Sequence, residues 1–383
     1  MKAILAGKIY PVCAEPIENG IILVEDGKIA AVGKDLTIPE GAEILHMEHC
    51  TVTPGLIDAH TYIALNFEPR GMREHSDSDE CCDPITPDVQ VLDGFYPDDL
   101  AIHTARDAGF TTCYVSTGKK NILGGQGAAF KMKPCNDAAK MILPETVQMN
   151  ASFGEIPFKF HSGKTGSPQT RMGMYSMLRE FLRKCADYAA AEAPAYDRKL
   201  EAMKPVMQGK MVLHICTYMA GDMLSLMELL NSYGIRYCFV GAAEGHLIPE
   251  ALAKQDVSVI CGSLLAYPFR NELWKSRYDL PVILKKAGLS TVCFTCDETD
   301  EIEFLRTVAG RCTALGMTHA QVLEGLTAAP ARLLGAEDRI GAIAPGMDAD
   351  LAFFNGDPLS NLTLCLGVLI DGAYIPSKEV PVK

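Results

Sequence analysis

The fold is indicated by residues 210–262, which read KMVLHICTYMAGDMLSLMELLNSYGIRYCFVGAAEGHLIPEALAKQDVSVICG. Three apolar runs in this stretch are typical of strands that are buried on both faces, and two segments between them have a helical pattern. The strand candidates are Lys210–Cys216, Arg236–Gly241 and Val257–Gly262, and the helix candidates are Gly221–Tyr233 and Ile248–Lys254. Strands that alternate with helices predict βαβ units and therefore a parallel sheet.

The same alternation extends over the whole middle of the chain. The other strand candidates are Gly55–Tyr62, Thr111–Ser116, Ala128–Met132, Val147–Ser152 and Ser290–Asp297, and the other helix candidates are Asp99–Ala108, Thr170–Glu192 and Leu280–Ala287. Eight parallel strands with intervening helices over about 280 residues match the usual size of a (β/α)8 TIM-type barrel. A doubly wound open α/β sheet is the alternative, but no Gly-x-Gly-x-x-Gly follows the first strand.

Both ends of the chain have a different pattern, in which short strand candidates are separated by turns. Glu25-Asp26-Gly27-Lys28 predicts a hairpin near the N-terminus, and Asn355-Gly356-Asp357-Pro358 predicts a turn between two strands near the C-terminus. Because chain termini usually lie close together, we expect one small sheet domain that is built from both ends.

Length and composition exclude several classes of protein. The chain has 383 residues, a formal net charge of −13 and 48% hydrophobic residues, which is too apolar for a disordered protein. The acidic balance argues against binding of nucleic acid and against docking on an anionic membrane. No apolar run reaches the roughly 18 to 20 residues of a membrane-spanning helix. Fourteen cysteines without a signal-peptide pattern predict free thiols and a cytoplasmic location.

Candidate functional side chains stand where the predicted barrel strands end, which is where such barrels carry their chemistry. They are His60 and Tyr62 on the first strand, Glu155 after the fourth, His214 and Cys216 on the fifth and Asp297 on the eighth. Two histidines and two carboxylates at one rim predict a site for a divalent metal of the zinc type. A single histidine is more often a hydrogen-bonded core residue, so the prediction depends on all four groups sharing that rim.

Two stretches of the chain resemble signatures of the amidohydrolase superfamily, and within it the imidazolonepropionase-related amidohydrolases. Residues 53–60, TPGLIDAH, resemble the family's opening strand, Pro-Gly-Leu-Ile-Asp-x-His-x-His. Residues 341–351, GAIAPGMDADL, resemble its closing segment, Gly-x-Ile-x-Pro-Gly-x-Asp-Ala-Asp-Leu. The resemblance implies a metal-bearing (β/α)8 barrel over residues 54–342, with a small β-sandwich domain formed by residues 1–53 and 343–383.

The resemblance also implies a metal site that departs from the family pattern. His60, His214 and Asp297 stand at ligand positions, and Glu155 stands where relatives carry a carboxylate or a modified lysine. Three histidine positions of the family are occupied by other residues, namely Tyr62, Cys216 and Gly241. We therefore expect one divalent ion rather than two, zinc first and iron or manganese as alternatives, or no ion if the site is degenerate.

The activity implied by the resemblance is hydrolysis of a C–N bond that is not a peptide bond, such as a cyclic amide, an amidine or an N-acyl group. The metal would activate a water, and Asp297 would take the proton of that water and deliver it to the leaving nitrogen. His214 would act as a ligand or as an electrophile. The expected partner is a small nitrogenous metabolite, and a homodimer is expected from the resemblance alone.

Four further residues are predicted to contact the substrate, namely Tyr62, Gln126, Arg171 and Cys216. Tyr62 could donate a hydrogen bond or stack, and Arg171 could grip a carboxylate or form a surface salt bridge. Two other functions stay open. One is a catalytically degenerate barrel that serves as a binding or scaffold protein. The other is a metal-independent hydrolase or isomerase that uses Asp297 with Cys216 or His214.

Overall fold

The protein folds into two β-sheets with helices packed around one of them. The structure, a computed structural model, describes residues 1–66, 76–164, 166–265, 270–297 and 302–378. The strands are β1 (Lys2–Ile9), β2 (Ile17–Glu25), β3 (Lys28–Gly33), β4 (Glu43–Pro54), β5 (Leu56–Thr61), β6 (Phe110–Val115), β7 (Leu123–Lys131), β8 (Ile142–Ser152), β9 (Leu213–Thr217), β10 (Tyr237–Gly241), β11 (Ser258–Cys261), β12 (Val292–Phe294), β13 (Leu351–Phe354), β14 (Cys365–Ile370) and β15 (Ala373–Pro376). The α-helices are α1 (Leu100–Asp107), α2 (Glu155–His161), α3 (Arg171–Ala190), α4 (Arg198–Met207), α5 (Ala220–Asn231), α6 (Pro249–Lys254), α7 (Leu280–Lys286), α8 (Ile302–Gly310), α9 (His319–Gly325) and α10 (Ala328–Leu334).

An eight-stranded sheet holds β5 to β12 in chain order. Its two outer strands approach each other at their carboxyl ends. The Thr295 hydroxyl donates to the carbonyl of His60, and the backbone N–H of Cys296 donates to the Asp58 carboxylate at 3.2 Å. The sheet is therefore a nearly closed TIM-like barrel, which confirms the fold class predicted for the middle of the chain.

One strand runs against the rest of the barrel. β7 pairs antiparallel with both β6 and β8, whereas the other neighbouring pairs of the sheet are parallel. The prediction of eight parallel strands is therefore wrong for β7. β7 is antiparallel because the segments that connect it to β6 and β8 are short. A connection between two parallel neighbouring strands needs a dozen or more residues and usually contains a helix. Only residues 116–122 and 132–141 join β7 to its two neighbours.

The five predicted helices are confirmed, and capping side chains fix where two of them begin. The Asp99 carboxylate accepts from the backbone N–H of Ala101 at 2.9 Å at the start of α1. The Thr170 hydroxyl accepts from the backbone N–H of Gly173 at 3.2 Å at the start of α3. Such side chains satisfy N–H groups that have no partner within the first helical turn. None of the described helices is both long enough and apolar enough to cross a membrane.

Strands from both ends of the chain form the second sheet. Its order is β15-β14-β13-β4-β1-β2-β3, so the pairing of β4 with β13 joins the two ends, with Leu351 opposite Pro54. The predicted hairpin at Glu25–Lys28 connects β2 to β3. The division into a β-sandwich domain of residues 1–53 and 343–383 and a barrel of residues 54–342 stays a prediction, and residues 379–383 lie outside the described residues.

A buried lysine links the barrel to this second sheet. Lys131, at the end of β7, is 2% exposed and lies 2.8 Å from Asp348 and 3.0 Å from Asp350, and it also pairs with Asp371. Burial by itself would raise the pKa of Asp348, but the hydrogen bond and charge of Lys131 outweigh it and lower this pKa to about 2. The two aspartates of the closing signature therefore belong to a structural ion-pair network.

Replacing Lys131 by Met removes this cation while keeping most of the side-chain volume. We expect the free energy of unfolding to fall by ~3–5 kcal/mol, because buried carboxylates lose their counter-charge. Urea denaturation at pH 7 measures the loss. Lys133→Met is the matched control, since Lys133 is 29% exposed and pairs with Asp371, and there we expect a loss below about 1 kcal/mol. Equal losses in the two variants would contradict the role assigned to Lys131.

Candidate active site

Asp58 on β5 holds the mouth of the barrel together. One of its carboxylate oxygens accepts from the backbone N–H of His60 at 3.0 Å, and the other accepts from the Cys296 thiol at 2.9 Å. Asp58 is fully buried, and burial raises its pKa to about 6 although these hydrogen bonds act in the opposite direction. Because Cys296 immediately precedes Asp297, this contact sets Asp297 beside the end of β5.

His60 lies at the centre of a small hydrogen-bonded cluster. Its Nε2 is 3.2 Å from the Tyr62 hydroxyl and 3.5 Å from the Cys216 sulfur. Burial lowers the pKa of His60 to about 4 and raises the pKa of Cys216 to about 12. At neutral pH the imidazole and the thiol are therefore both uncharged, so a thiolate–imidazolium pair does not form in the free protein.

His214 is two residues before Cys216 on β9, and its ring stacks on the ring of Tyr114. The two ring centroids are 4.7 Å apart, and the Tyr114 hydroxyl donates to the side-chain oxygen of Asn150 at 3.0 Å. Burial, reinforced by His60, lowers the pKa of His214 to about 3. Neither ring nitrogen of His214 has a hydrogen-bond partner among the described residues. The imidazole is thus neutral and held by stacking.

Asp297 forms an ion pair that the sequence analysis did not anticipate. The Lys119 Nζ lies 2.5 Å from Asp297 Oδ2, and the side chains of the two residues are 10% and 11% exposed. Burial by itself would lower the pKa of Lys119, but the charge of Asp297 outweighs it and raises this pKa well above its usual value. The other carboxylate oxygen, Asp297 Oδ1, is buried and has no partner among the described residues.

Lys119 could have been found by the rule that identified the other candidates. It lies four residues beyond the end of β6, whereas Glu155 and Asp297 lie three residues beyond the ends of β8 and β12. The long lysine side chain allows a residue outside the strand to reach across the rim. Tyr114 gave no such signal, because it lies inside an apolar strand.

Glu155 and Arg171 lie together in a separate cleft of about 310 Å³. Glu155 pairs with Lys159, and its backbone N–H donates to Glu272 Oε1 at 2.8 Å. The Arg171 Nε donates to Asp222 at 2.9 Å, and its terminal nitrogen pairs with Glu272. The guanidinium is therefore already bound to two acids of the protein. A role for either residue in metal or substrate binding stays a prediction.

Gln126 on β7 is partly exposed and lies beside the segment that precedes α1. Its side-chain amide donates to the carbonyl of Pro87 at 3.3 Å, and its backbone forms a bridge with Gln90. No contact within the described ranges joins it to His60 or Asp297. Its assignment to substrate binding stays a prediction.

Comparisons with known proteins show which proteins the chain is similar to. The model of the amidohydrolase family matches residues 210–372. A solved amidohydrolase from Thermotoga maritima is 29% identical, with a TM-score of 0.93, over 99% of this chain and 100% of that one. Over nearly its whole length the chain is similar to amidohydrolases. The resemblance seen in its terminal signatures is thereby confirmed.

Two curated amidohydrolase-family relatives and a more distant structure extend this finding. Amidohydrolase tasK of Hapsidospora irregularis is 25% identical over 92% of this chain, and the chain spans 39% of the length of that protein. An imidazolonepropionase from Geobacillus is 51% identical over 65 residues, which are 15% of this chain and 14% of that protein. An adenosine deaminase from Xanthomonas campestris, solved with bound zinc, shares the fold with a TM-score of 0.55 and 15% identity over 100% of this chain and 94% of that one.

The candidate metal-binding atoms of this chain do not converge as a divalent ion requires. Among the described residues, no three ligand atoms from His60, His214, Asp297 and Glu155 lie within 4.8 Å of one another. The carboxylates that do come together belong to the cluster around Lys131, whose ammonium pairs with each of them.

Two of the candidate ligands are also bound to other groups through one of their donor atoms, whereas His214 and the Nδ1 of His60 have no partner among the described residues. The His60 Nε2 is shared with Tyr62 and Cys216, and Asp297 is paired with the ammonium of Lys119. A cation bound to Asp297 would meet the like charge of Lys119. The arrangement of the described residues therefore does not fit the single metal ion that the resemblance implies.

Gly241 occupies the histidine position that the resemblance implies on the sixth barrel strand. Gly241 ends β10 with a φ of +85°, and a Cβ added there would lie 2.6 Å from the ring of Tyr218. The tyrosine ring thus occupies the space that a side chain at position 241 would need. A histidine is excluded at this position for two reasons, the backbone conformation and the contact with Tyr218.

Gly241→Ala tests this packing. We expect a loss of more than about 2 kcal/mol in the free energy of unfolding, because the left-handed backbone costs roughly 1–2 kcal/mol and the ring contact adds to it. Gly288→Ala is the control, since Gly288 has a φ of +99° with no atom within 4 Å of an added Cβ. Chemical denaturation measures both variants. A loss no larger at position 241 than at position 288 would contradict the packing argument.

Proposed function

We propose that this chain hydrolyses a C–N bond other than a peptide bond, in a cyclic amide, an amidine or an N-acyl group of a small nitrogenous compound. The observation that supports this activity most directly is the carboxylate of Asp297. One of its oxygens is held by Lys119 at 2.5 Å, and the other is buried without a partner among the described residues. A fixed carboxylate with one free oxygen is suited to accept a proton from water.

The reaction then needs one proton carrier and an attacking water. The Asp297 Oδ1 accepts a proton as the water oxygen attacks the carbon of the C–N bond, and the π electrons of the C=O or C=N bond move onto its oxygen or nitrogen. As that π bond re-forms, the C–N bond breaks, its electron pair leaves with the nitrogen, and the nitrogen takes the proton from Asp297. An N-acyl compound gives an acid and an amine, a cyclic amide gives one ring-opened amino acid, and an amidine gives an amide and an amine, while Asp297 returns to its ionised form.

Uncharged groups lie close to this ion pair, since the Lys119 Nζ is 5.6 Å from the centre of the Tyr62 ring. The Tyr62 hydroxyl and the Cys216 thiol both lie within hydrogen-bond reach of His60 Nε2. Because the imidazole of His60 and the thiol of Cys216 are uncharged, they suit a neutral amide better than a charged substrate. We assign Tyr62 and Cys216 to substrate contact. Because the candidate metal-binding atoms do not converge, the attacking water is activated by Asp297 and not by a metal ion.

A binding or scaffold protein is the second candidate function, and the failure of the family's metal ligands to converge is the observation that favours it. Hydrolysis is preferred because a buried carboxylate oxygen without a hydrogen-bond partner is costly to keep. A barrel without catalytic activity would gain nothing from such a group at its mouth. A small-molecule substrate, a homodimer and a cytoplasmic location belong to the same proposal.

Asp297→Asn tests the hydrolase assignment. We expect kcat to fall by about 10²–10⁴-fold, which is the usual contribution of general acid–base catalysis. Amine or ammonia release is measured over a panel of cyclic amides, amidines and N-acyl compounds. Asp279→Asn, at an exposed pair with Arg277, is the control and keeps wild-type turnover. A wild-type protein that hydrolyses no member of the panel would contradict the assignment, as would an Asp297→Asn variant with unchanged kcat.

A further inference from the structure

Lys119 reaches across the mouth of the barrel. It follows β6, whereas its partner Asp297 follows β12, and β5 lies between these two strands in the nearly closed sheet. The lysine side chain therefore passes over the carboxyl end of β5. In agreement with this path, Nζ lies 5.6 Å from the centre of the Tyr62 ring, directly after β5.

Most of the hydrogen-bonding capacity of this buried ammonium is unused. An ammonium has three N–H donors, and one of them is directed at Asp297 Oδ2. The other two have no acceptor among the described residues. Because the side chain is only 10% exposed, water cannot solvate these donors freely, and an acceptor from a bound molecule is the natural complement.

A second cation lies near the mouth. The charged groups that act on the buried Tyr218 include Lys119, Asp297 and Arg270, and the Arg270 guanidinium lies 4.6 Å from the centre of that tyrosine ring. Arg270 also acts on the carboxylate of Glu272, so the ammonium of Lys119 is the cation that lies against Asp297. A divalent cation there would meet the like charge of Lys119, whereas an oxygen on which negative charge develops would be attracted to it.

We propose that Lys119 is the electrophilic group of the reaction, taking the place of the metal ion that the fold family uses, so that hydrolysis in this chain requires no divalent cation. This inference rests on the proposed function. When the water oxygen attacks, the carbonyl π electrons move onto the substrate oxygen, and the two free N–H groups of Lys119 hold that oxyanion. As the oxyanion collapses, the C–N bond breaks and the nitrogen takes the proton from Asp297. Lys119 stays protonated throughout.

This arrangement gives each side chain of the ion pair a separate task. Asp297 moves the proton, and the ammonium of Lys119 stabilises the negative charge of the intermediate. The same ion pair fixes both groups before the substrate binds, so little reorganisation is needed during the reaction. For amidines the substrate nitrogen takes the place of the carbonyl oxygen, and the proposal therefore favours carbonyl substrates, that is cyclic amides and N-acyl compounds.

The first experiment uses the wild-type protein and a metal chelator. Protein dialysed against EDTA is expected to keep its turnover of a panel substrate, to gain none on addition of Zn²⁺, and to keep the same melting temperature with or without Zn²⁺. Loss of turnover on dialysis with recovery on adding Zn²⁺ would overturn the inference while leaving the proposed function intact. One equivalent of zinc retained in the barrel mouth, with a lower melting temperature after its removal, would overturn it even if no panel substrate were found.

The second experiment separates a catalytic lysine from a structural one. Lys119→Met is expected to lower kcat by about 100-fold or more, as removal of an oxyanion donor does, with a smaller change in KM. Lys119→Arg keeps the charge and is expected to retain more of kcat than Lys119→Met. The control is Lys120→Met, since the neighbouring lysine is 40% exposed and pairs with Asp79, and its turnover should stay within about twofold of the wild type.

The melting temperature of each variant shows whether it is folded. A folded Lys119→Met protein with wild-type kcat would overturn the inference. A second pair of results would also overturn the inference. These are a Lys119→Met protein that is inactive because it is unfolded, and a folded Lys119→Arg protein that is equally inactive.

Discussion

Closure of the barrel by Asp58 is the constraint on which the candidate site depends. Its carboxylate binds the backbone of His60 on the first barrel strand and both the backbone and thiol of Cys296 after the last. Residues more than two hundred positions apart in the chain are thereby brought to one rim. This buried carboxylate places Asp297 beside His60. The side chain of Lys119 must therefore extend across the carboxyl end of β5 to contact Asp297.

The residues that depart from the family pattern fit one another. Tyr62 and Cys216 both contact the imidazole nitrogen of His60, and Gly241 provides the room that the Tyr218 ring occupies. Losing one metal ligand from a working metal centre would leave its partners unpaired in a buried place, which is costly. Here the replacements hydrogen-bond or pack with one another instead. The rim is therefore a consistent arrangement of its own rather than a metal site with parts removed.

The sequence predicted the eight strands of the barrel and five of the ten α-helices among the described residues, because runs of apolar residues report burial directly. It did not predict the reversal of β7, since an antiparallel strand buried on both faces has the same composition as a parallel one. Strand-end positions identified His60, His214 and Asp297, but not which side chain each would contact. That information depends on tertiary distances. Long side chains show this most clearly, as Glu155 pairs with Lys159 in a separate cleft and Lys119 reaches Asp297 from another strand.

Two buried lysines show how the same residue type serves stability in one place and supports chemistry in another. Lys131 is surrounded by Asp348, Asp350 and Asp371, so three carboxylates compensate its charge. A cation that is compensated in this way holds two sheets together and has little left to offer a ligand. Lys119 is 10% exposed and has one carboxylate partner among the described residues. The free energy needed to bury such a partly satisfied cation is recovered when another hydrogen-bond acceptor binds to it. An oxygen that becomes negatively charged during the reaction is the acceptor that binds the ammonium most strongly.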